Sequence, residues 1–218
     1  MVELMIIADD FTGALDSGVH FAEKGIRTRV IVSMENDRSW EEGLKSGETT
    51  VLVVDAETRH ATPEQAGRKV DAIVSDGKKA GIPYIYKKTD SALRGNIGSE
   101  LEAALKASGE QVLSFVPALP QMNRITKGGK HYIDGLPVSQ SVFGNDPFEP
   151  VTRDNVAEII GLQSRIPVTT AEDPEQLSGR ESGIVVYDAQ SEADIERIGA
   201  KLAASGQSRL LAGCAGFA

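Results

Sequence analysis

The feature that most constrains the fold is an alternation of short, apolar, β-branched segments with longer segments of helical period. Seven segments have the composition of buried strands, at residues 4–8, 28–32, 50–54, 84–86, 112–116, 184–187 and 210–212. Strands that are apolar on both faces suit a parallel sheet covered on both sides. The sequence therefore predicts an α/β domain with three α/β/α layers and a mainly parallel sheet.

Helix start signals lie between these strands. Residues 62–65, Thr-Pro-Glu-Gln, combine an N-cap, a proline at the first helical position and a capping-box glutamine. Residues 173–176 repeat that pattern, residues 191–194 open a further helix, and apolar positions from 97 to 105 indicate another. Helices of this length between strands imply right-handed βαβ crossovers and a Rossmann-like arrangement.

The segment from 117 to 150 breaks the alternation. It is rich in proline and glycine and has no long helical period. Loops this long in a compact domain are usually functional or mobile. Within it, Asp134-Gly135 has the composition of a two-residue turn, which predicts a small hairpin over residues 131–138.

Charge and cysteine content exclude several classes of protein. The chain has 23 basic and 32 acidic residues, a net charge of −9, which disfavours general binding of nucleic acid or anionic lipid. Its apolar runs of about five residues are far below the roughly 20 that span a bilayer. The residues before the first strand lack the basic and apolar regions of a signal peptide, so none is expected. A cytoplasmic location is expected. The single cysteine, Cys214, excludes an internal disulfide and a cysteine-rich zinc site.

The first candidate site follows the first strand, where Asp9 and Asp10 precede a helix that opens at Thr12. Ligands of open α/β sheets bind beyond the carboxyl ends of the strands, and a helix N-terminus offers free N–H groups to an anion. The alternative interpretation is that Asp10 or Thr12 only caps the helix. Capping alone explains less well two adjacent carboxylates, whose repulsion requires a nearby cation or donors.

The second candidate site lies between the strand at 84–86 and the next helix. It concentrates positive charge, hydroxyls, a carboxylate and an amide, and its candidate residues are Lys88, Asp90, Ser91, Arg94, Gly95 and Asn96. An arginine fork can hold a carboxylate or a phosphate. The alternative is a solvated turn with surface lysines.

Two further cations are candidates for an anion site. Arg59 follows another strand, and Arg124 lies in the proline- and glycine-rich segment. His60 is interpreted as structural or solvent-facing, because no second histidine lies at metal-ligand spacing. No phosphate-binding or dinucleotide-binding glycine motif is present. The acidic strand end also differs from that of haloacid-dehalogenase phosphatases, which have two aspartates separated by one residue. Here Phe11 stands where that spacing would require an acid.

Taken together, the motifs resemble those of the four-carbon acid sugar kinase family. The chain has Ala-Asp-Asp-Phe-Thr-Gly-Ala at 8–14, Thr-Arg-His at 58–60 and Lys-Lys-Thr-Asp-Ser-Ala-Leu-Arg-Gly-Asn at 87–96. The later motif residues of the family are matched at 117–120 and by Arg124, Tyr132, Gly135, Pro137, Asp146 and Pro147. The resemblance spans nearly the whole chain, and four motifs in the same order make it specific.

The resemblance implies two α/β domains with a cleft between them, of which residues 1–218 are the N-terminal, sugar-acid-binding one. The glycine-rich stretch at 212–216 resembles the crossing to the second domain, although a buried C-terminal strand is the alternative. The implied reaction is ATP-dependent phosphorylation of a hydroxyl on a threonate, erythronate or oxo-tetronate. ATP and Mg²⁺ are implied to bind mainly to a C-terminal domain absent from this chain.

Within that reaction, Asp10 or Asp9 is the predicted base, and the other candidates listed above are predicted to bind the sugar acid. The fragment alone is expected to be inactive, and a homodimer is compatible with the sequence. The competing interpretation is a non-catalytic acid-sugar-binding module or regulatory subunit. A phosphatase or an aldolase using Lys88 is a weaker alternative.

Overall fold

A computed structural model describes residues 1–33, 38–177 and 182–218 of the chain. The strands are β1 (Leu4–Ala8), β2 (Thr28–Val32), β3 (Val51–Asp55), β4 (Tyr84–Lys88), β5 (Val112–Val116), β6 (Arg124–Lys127), β7 (Lys130–Ile133), β8 (Leu136–Pro137), β9 (Val168–Ala171), β10 (Gly183–Tyr187) and β11 (Leu210–Gly213). The helices are α1 (Phe11–Glu23), α2 (Trp40–Leu44), α3 (Pro63–Lys79), α4 (Ile97–Ser108), α5 (Val156–Gly161) and α6 (Glu192–Ala204).

The main sheet contains eight of the described strands, in the order β2-β3-β1-β4-β11-β5-β10-β9, and every pairing in it is parallel. After β1 the chain forms β2 at the edge of the sheet and returns with β3 between β2 and β1, and it then crosses to the other side of β1 to form β4. The point of reversal between β1 and β4 is where open α/β sheets bind their ligands.

Helices cover both faces of this sheet. One face packs against α3, α4 and α5 through the largest apolar cluster, which includes Ile73, Leu101 and Ile160. The opposite face packs against α1 and α6, and Phe217 contacts the clusters beneath both of these helices. The domain is therefore a three-layer α/β/α sandwich, as the alternation of segments predicts.

A small antiparallel sheet of β6, β7 and β8 lies within the proline- and glycine-rich segment. Asp134 and Gly135 both have positive φ angles, 50° and 81°, and connect β7 to β8. This confirms the predicted hairpin. A second turn at Gly128 and Gly129 connects β6 to β7, which the sequence interpretation missed.

The predicted helix at 173–176 is wrong. The capping box of Asp173 and Gln176 forms, but it closes a single turn of 3-10 helix, and Leu177 returns to an extended conformation. Beyond it, residues 178–181 lie outside the described part of the chain. The other predicted helix starts are confirmed, at α3, α4 and α6.

The predicted strand at 84–86 ends too early. β4 continues to Lys88, so Lys87 and Lys88 belong to the strand and point to opposite faces of the sheet. The predicted strand at 210–212 forms as β11, which is buried between β4 and β5. Among the described helices, none has the length and apolarity needed to span a membrane.

Candidate functional site

The carboxyl ends of the central strands place the predicted residues together. Ala8 at the end of β1 is in register with Asp55 of β3 and with Lys88 of β4. Lys88 is in turn in register with Gly213 of β11. The residues that follow these strands therefore lie around one crevice, at the point where the strand order reverses.

Arg59 joins three carboxylates in this crevice. Its Nε lies 2.8 Å from Asp9 Oδ2, its Nη1 2.7 Å from Asp10 Oδ2, and its Nη2 3.6 Å from Asp90 Oδ1. Burial works against the charged guanidinium, but the three carboxylates outweigh it and raise the pKa of Arg59 above its ordinary value. Arg59 is thus the cation that allows Asp9 and Asp10 to stand side by side.

Arg94 is also held by carboxylates. Its Nε and Nη2 form a fork on Asp90, at 2.8 and 3.0 Å, and its Nη1 donates to Asp146 Oδ2 at 3.1 Å. Burial opposes the charge of Asp90, yet Arg94 and Arg59 together lower its pKa to about 2. Asp90 is therefore an anion at all physiological pH values.

These contacts change which cations are the better candidates for binding an anion. Arg59 and Arg94 are predicted to contact an anion, but their guanidinium groups already bond protein carboxylates. Lys88 and Arg124 differ, because within the described ranges no carboxylate oxygen lies within 4.0 Å of either. Lys88 Nζ donates instead to the Thr89 carbonyl at 2.8 Å, and Arg124 Nη1 donates to Ser91 Oγ.

Lys88 and Arg124 both lie near the carboxyl end of β11. Burial raises the pKa of the Cys214 thiol, and the charges of Lys88 and of Arg124 both act in the opposite direction. Lys88 is in register with Gly213 at the carboxyl end of β11, and the Cys214 thiol that follows donates to the carbonyl of Ala118, next to Leu119, which bridges to Arg124. Both cations therefore lie close to this end of β11. An anion bound there would face two charges that no described carboxylate neutralises.

Gly13 brings Lys88 close to the start of α1. A Cβ at Gly13 would lie 2.7 Å from Lys88 Nζ and also 2.7 Å from Asp10 Oδ1. Asp10 caps the helix, and its Oδ1 accepts from the Gly13 N–H at 2.8 Å. Asp10 therefore caps the helix, but it does more than cap it, because it also bonds Arg59 and keeps 24% of its side chain exposed. Asp10 is the accessible member of the aspartate pair, since only 3% of the Asp9 side chain is exposed.

The remaining predicted residues mostly shape the backbone around these charges. Asn96 donates through Nδ2 to the carbonyls of Thr58 and Ala61, both at 2.8 Å. Gly95 has a φ of +82°, and a Cβ there would lie 3.1 Å from the Arg59 carbonyl oxygen. Both contacts fix the loop that carries Arg59. Thr12 lies exposed in the first turn of α1.

Three features of the site were missed by sequence reasoning. Lys87 and Glu100 form a buried ion pair beneath the crevice. Buried His131 contacts the Ser91 carbonyl through Nε2 at 2.9 Å. Phe143 packs against Arg94 and Arg124. Of these residues, only Glu100 could have been noticed in the sequence, because it interrupts the apolar stripe of α4.

Several buried polar atoms lack a partner among the described residues. At the crevice they include Asp9 Oδ1, Thr89 Oγ1 and Arg124 Nε. Such atoms usually bond a protein group, water or a ligand.

In the described part of the chain, no group of three or more histidine, cysteine or acidic residues is arranged to hold a metal ion.

Residues 4–218 match the model of a family described as the sugar-binding N-terminal domain. A D-threonate kinase of Salmonella typhimurium is 35% identical over 229 residues, which cover 100% of this chain and 52% of the relative. A D-erythronate kinase of Heliobacterium modesticaldum is 35% identical, over 91% of this chain and 47% of the relative. A 3-oxo-tetronate kinase of Methylobacterium radiotolerans is 27% identical, over 88% and 48%. The chain spans about half the length of these curated relatives.

Solved structures also match nearly the whole of this chain and about half of their own length. A Bordetella bronchiseptica protein, crystallised with bound citrate as a domain-swapped dimer, superposes with a TM-score of 0.87 at 30% identity, covering 100% of this chain and 56% of that one. A Haemophilus influenzae protein superposes with a TM-score of 0.83 at 22% identity, over 98% of this chain and 54% of that one, which shows a shared fold.

Proposed function

The chain belongs to the family of sugar-binding N-terminal domains of four-carbon acid sugar kinases, and from that membership we propose that it binds a four-carbon sugar acid as the substrate half of such a kinase. The observation that carries the proposal is the pair of cations Lys88 and Arg124, which have no carboxylate partner among the described residues. Lys88 lies beside the accessible carboxylate of Asp10, and Arg124 bonds Ser91, three residues after Lys88. A hydroxy acid has a carboxylate that the cations can bind and a hydroxyl that the carboxylate of Asp10 can accept a proton from.

The carboxylate of the sugar acid is assigned to Lys88 and Arg124. An ammonium and a guanidinium that are not neutralised by protein carboxylates attract an anion more strongly than Arg59 or Arg94 would. The N-terminus of α1 beside Lys88 adds a favourable dipole. Ser91, which bonds Arg124, and Thr89, whose buried hydroxyl has no partner among the described residues, are assigned to the hydroxyls of the ligand.

Asp10 is assigned as the base that accepts the proton of the hydroxyl being phosphorylated. It is more exposed than Asp9, and its contacts with Arg59 and the Gly13 N–H orient its carboxylate. Asp9 holds Arg59, and Asp90 holds both Arg59 and Arg94. Phosphoryl transfer depends mainly on such positioning and on charge stabilisation.

ATP with Mg²⁺ supplies the phosphoryl group in a kinase of this class. We assign the binding of both mainly to the C-terminal half that the longer relatives have, and no residue of this chain is assigned to the metal. The sugar acid and that second domain are the proposed partners. A homodimer, known for the Bordetella relative in its domain-swapped form, stays a prediction for this chain.

The citrate held by the Bordetella relative supports a hydroxy-acid ligand, because citrate combines carboxylates with a hydroxyl. The names of the three curated relatives span threonate, erythronate and 3-oxo-tetronate. The proposed substrate class is therefore a four-carbon sugar acid, with D-threonate and D-erythronate as the first compounds to test.

Isothermal titration calorimetry of this chain tests the proposal. We expect saturable binding of D-threonate or D-erythronate, weaker binding of the corresponding neutral alditols, and no binding of ATP–Mg²⁺. Binding of ATP–Mg²⁺ without any sugar acid would overturn the assignment of roles. If a two-domain kinase carrying this sequence binds the acid but transfers no phosphoryl group, the non-catalytic binding module is the better interpretation.

A further inference from the structure

Phe143 contacts two arginines of the proposed site. Its ring centroid lies 4.9 Å from Arg94 Cζ and 5.1 Å from Arg124 Cζ. The face of an aromatic ring attracts a cation within about 6 Å of its centroid. A single side chain of the proline- and glycine-rich segment therefore contacts both guanidinium groups.

The two arginines depend on this ring to different extents. Arg94 has strong alternatives, because it bonds Asp90 through two nitrogens and Asp146 through a third. Arg124 has its hydrogen bond to Ser91 Oγ, and across the described ranges its buried Nε finds no acceptor. Removal of the ring would therefore release Arg124 more than Arg94.

The backbone holds Phe143 in place independently of the arginines. The Phe143 N–H donates to Ser141 Oγ at 3.2 Å, and the Phe143 carbonyl accepts from the Val151 N–H at 3.0 Å. Gly144, the next residue, packs so closely against the Ser139 backbone that a Cβ would not fit. The ring is thus presented by a rigid turn.

We propose that Phe143 is a positioning residue that holds the Arg124 guanidinium toward the carboxylate of the sugar acid. The inference rests on the proposed function, because it assumes that Arg124 binds that carboxylate. In this proposal Phe143 influences substrate selection without touching the ligand, because it acts through Arg124.

The test compares two ligands that differ in charge. Calorimetry measures the dissociation constants of D-threonate and of its neutral amide, D-threonamide, for the wild-type chain and for Phe143→Leu, which keeps apolar volume and loses the aromatic face. We expect Phe143→Leu to weaken D-threonate binding about tenfold, the order of one cation–π contact, with D-threonamide binding changed less than twofold. Phe143→Tyr keeps the ring face and is expected to restore the wild-type preference for the acid.

The matched control is Phe148→Leu, in the same segment, because Phe148 is 79% exposed. It is expected to leave both dissociation constants unchanged. A merely structural role of Phe143 would lower the melting temperature and weaken both ligands equally, and that result would overturn the proposal. If Phe143→Leu fails to fold, Phe143→Met provides the same comparison.

The two proposals fail in different ways. A wild-type chain that binds neither D-threonate nor D-erythronate overturns the proposed function, and the role of Phe143 with it. A wild-type chain that prefers the acid, together with a Phe143→Leu variant that keeps the full preference, overturns the role of Phe143 alone.

Discussion

Lys87 and Glu100 form an ion pair with 2.8 Å between Nζ and Oε2, and at most 1% of either side chain is exposed. The pair joins β4 to α4 directly beneath the crevice. Burial raises the pKa of Glu100, and the charge of Lys87 opposes that rise. The Asp9 carboxylate also acts on Glu100, so the pair is electrostatically connected to the site above it.

Loss of one partner should therefore destabilise the fold. We expect Lys87→Met to lower the free energy of unfolding by about 3 kcal/mol or more, because it leaves a buried carboxylate without its cation. The double variant Lys87→Met/Glu100→Leu should recover most of that loss. Urea denaturation at pH 7 measures both. Lys106→Met, which breaks the more exposed pair with Glu102, should change stability by less than about 1 kcal/mol. Equal losses in the single and double variants would contradict the prediction.

His131 should make the fold sensitive to acid. Burial lowers the pKa of His131 to about 4, below its ordinary 6.5, and the nearby charge of Arg124 acts in the same direction. The unfolded chain therefore takes up the proton first, so the contribution is complete above pH 6.5 and is lost as the pH falls toward 4. The expected slope is about 1.4 kcal/mol per pH unit in that interval.

The measurement is the free energy of unfolding against pH for the wild type and for His131→Gln. The difference between the two curves should shrink as the pH falls from 6.5 to 4. His60→Gln is the control, since the His60 side chain is 69% exposed. A constant difference between wild type and His131→Gln would show that His131 does not titrate in this interval.

Asp10→Asn should separate catalysis from folding. Asparagine caps helices as well as aspartate, so the start of α1 should survive the change. The variant cannot accept the substrate proton, and kcat should fall at least about 100-fold in a two-domain kinase that carries this sequence. Asp9→Asn should instead lower the melting temperature, because it removes a buried partner of Arg59. An Asp10→Asn enzyme with wild-type kcat would exclude Asp10 as the base.

Arg124→Gln should weaken binding of the sugar acid. A hydrogen bond to a charged group contributes about 1.5 to 3 kcal/mol, so the dissociation constant should rise roughly tenfold to a hundredfold. The change is measured by calorimetry at two salt concentrations, and the salt dependence should fall with the lost charge. Lys127→Gln, an exposed cation on the same hairpin, should bind like the wild type. Equal effects of the two variants would show that only net charge matters.

Much of the fold could be predicted from local signals. The β-branched runs identified seven strands of the main sheet, and the capping boxes at Thr62 and Ser191 marked two helices. The same signal at Asp173 failed, because a capping box specifies how a helix begins and not how far it continues. The order of the strands could not be predicted, since it depends on pairings between distant segments such as β11 with β4.

The sequence predicted that the candidate residues would lie together, and it predicted less of their contacts. The rule that ligands bind at the carboxyl ends of parallel strands brought Asp10, Arg59 and Arg94 to one place. That Arg59 bonds Asp9, 50 residues away, is a tertiary fact that no spacing reveals. Lys87 and Lys88 were indistinguishable until the end of β4 was known, because only the strand register determines which of them points to α4 and which to α1.

The position of β11 has a consequence for how the protein is made. This strand comes after β4 and β5 in the chain, yet it lies between them in the sheet. Until residues 210–213 have left the ribosome, the two halves of the sheet cannot join, and the facing edges of β4 and β5 stay unpaired. Unpaired strand edges are templates for association with other chains. A nascent chain arrested before residue 210 should therefore recruit chaperones or aggregate, whereas one that has passed residue 213 can close its sheet.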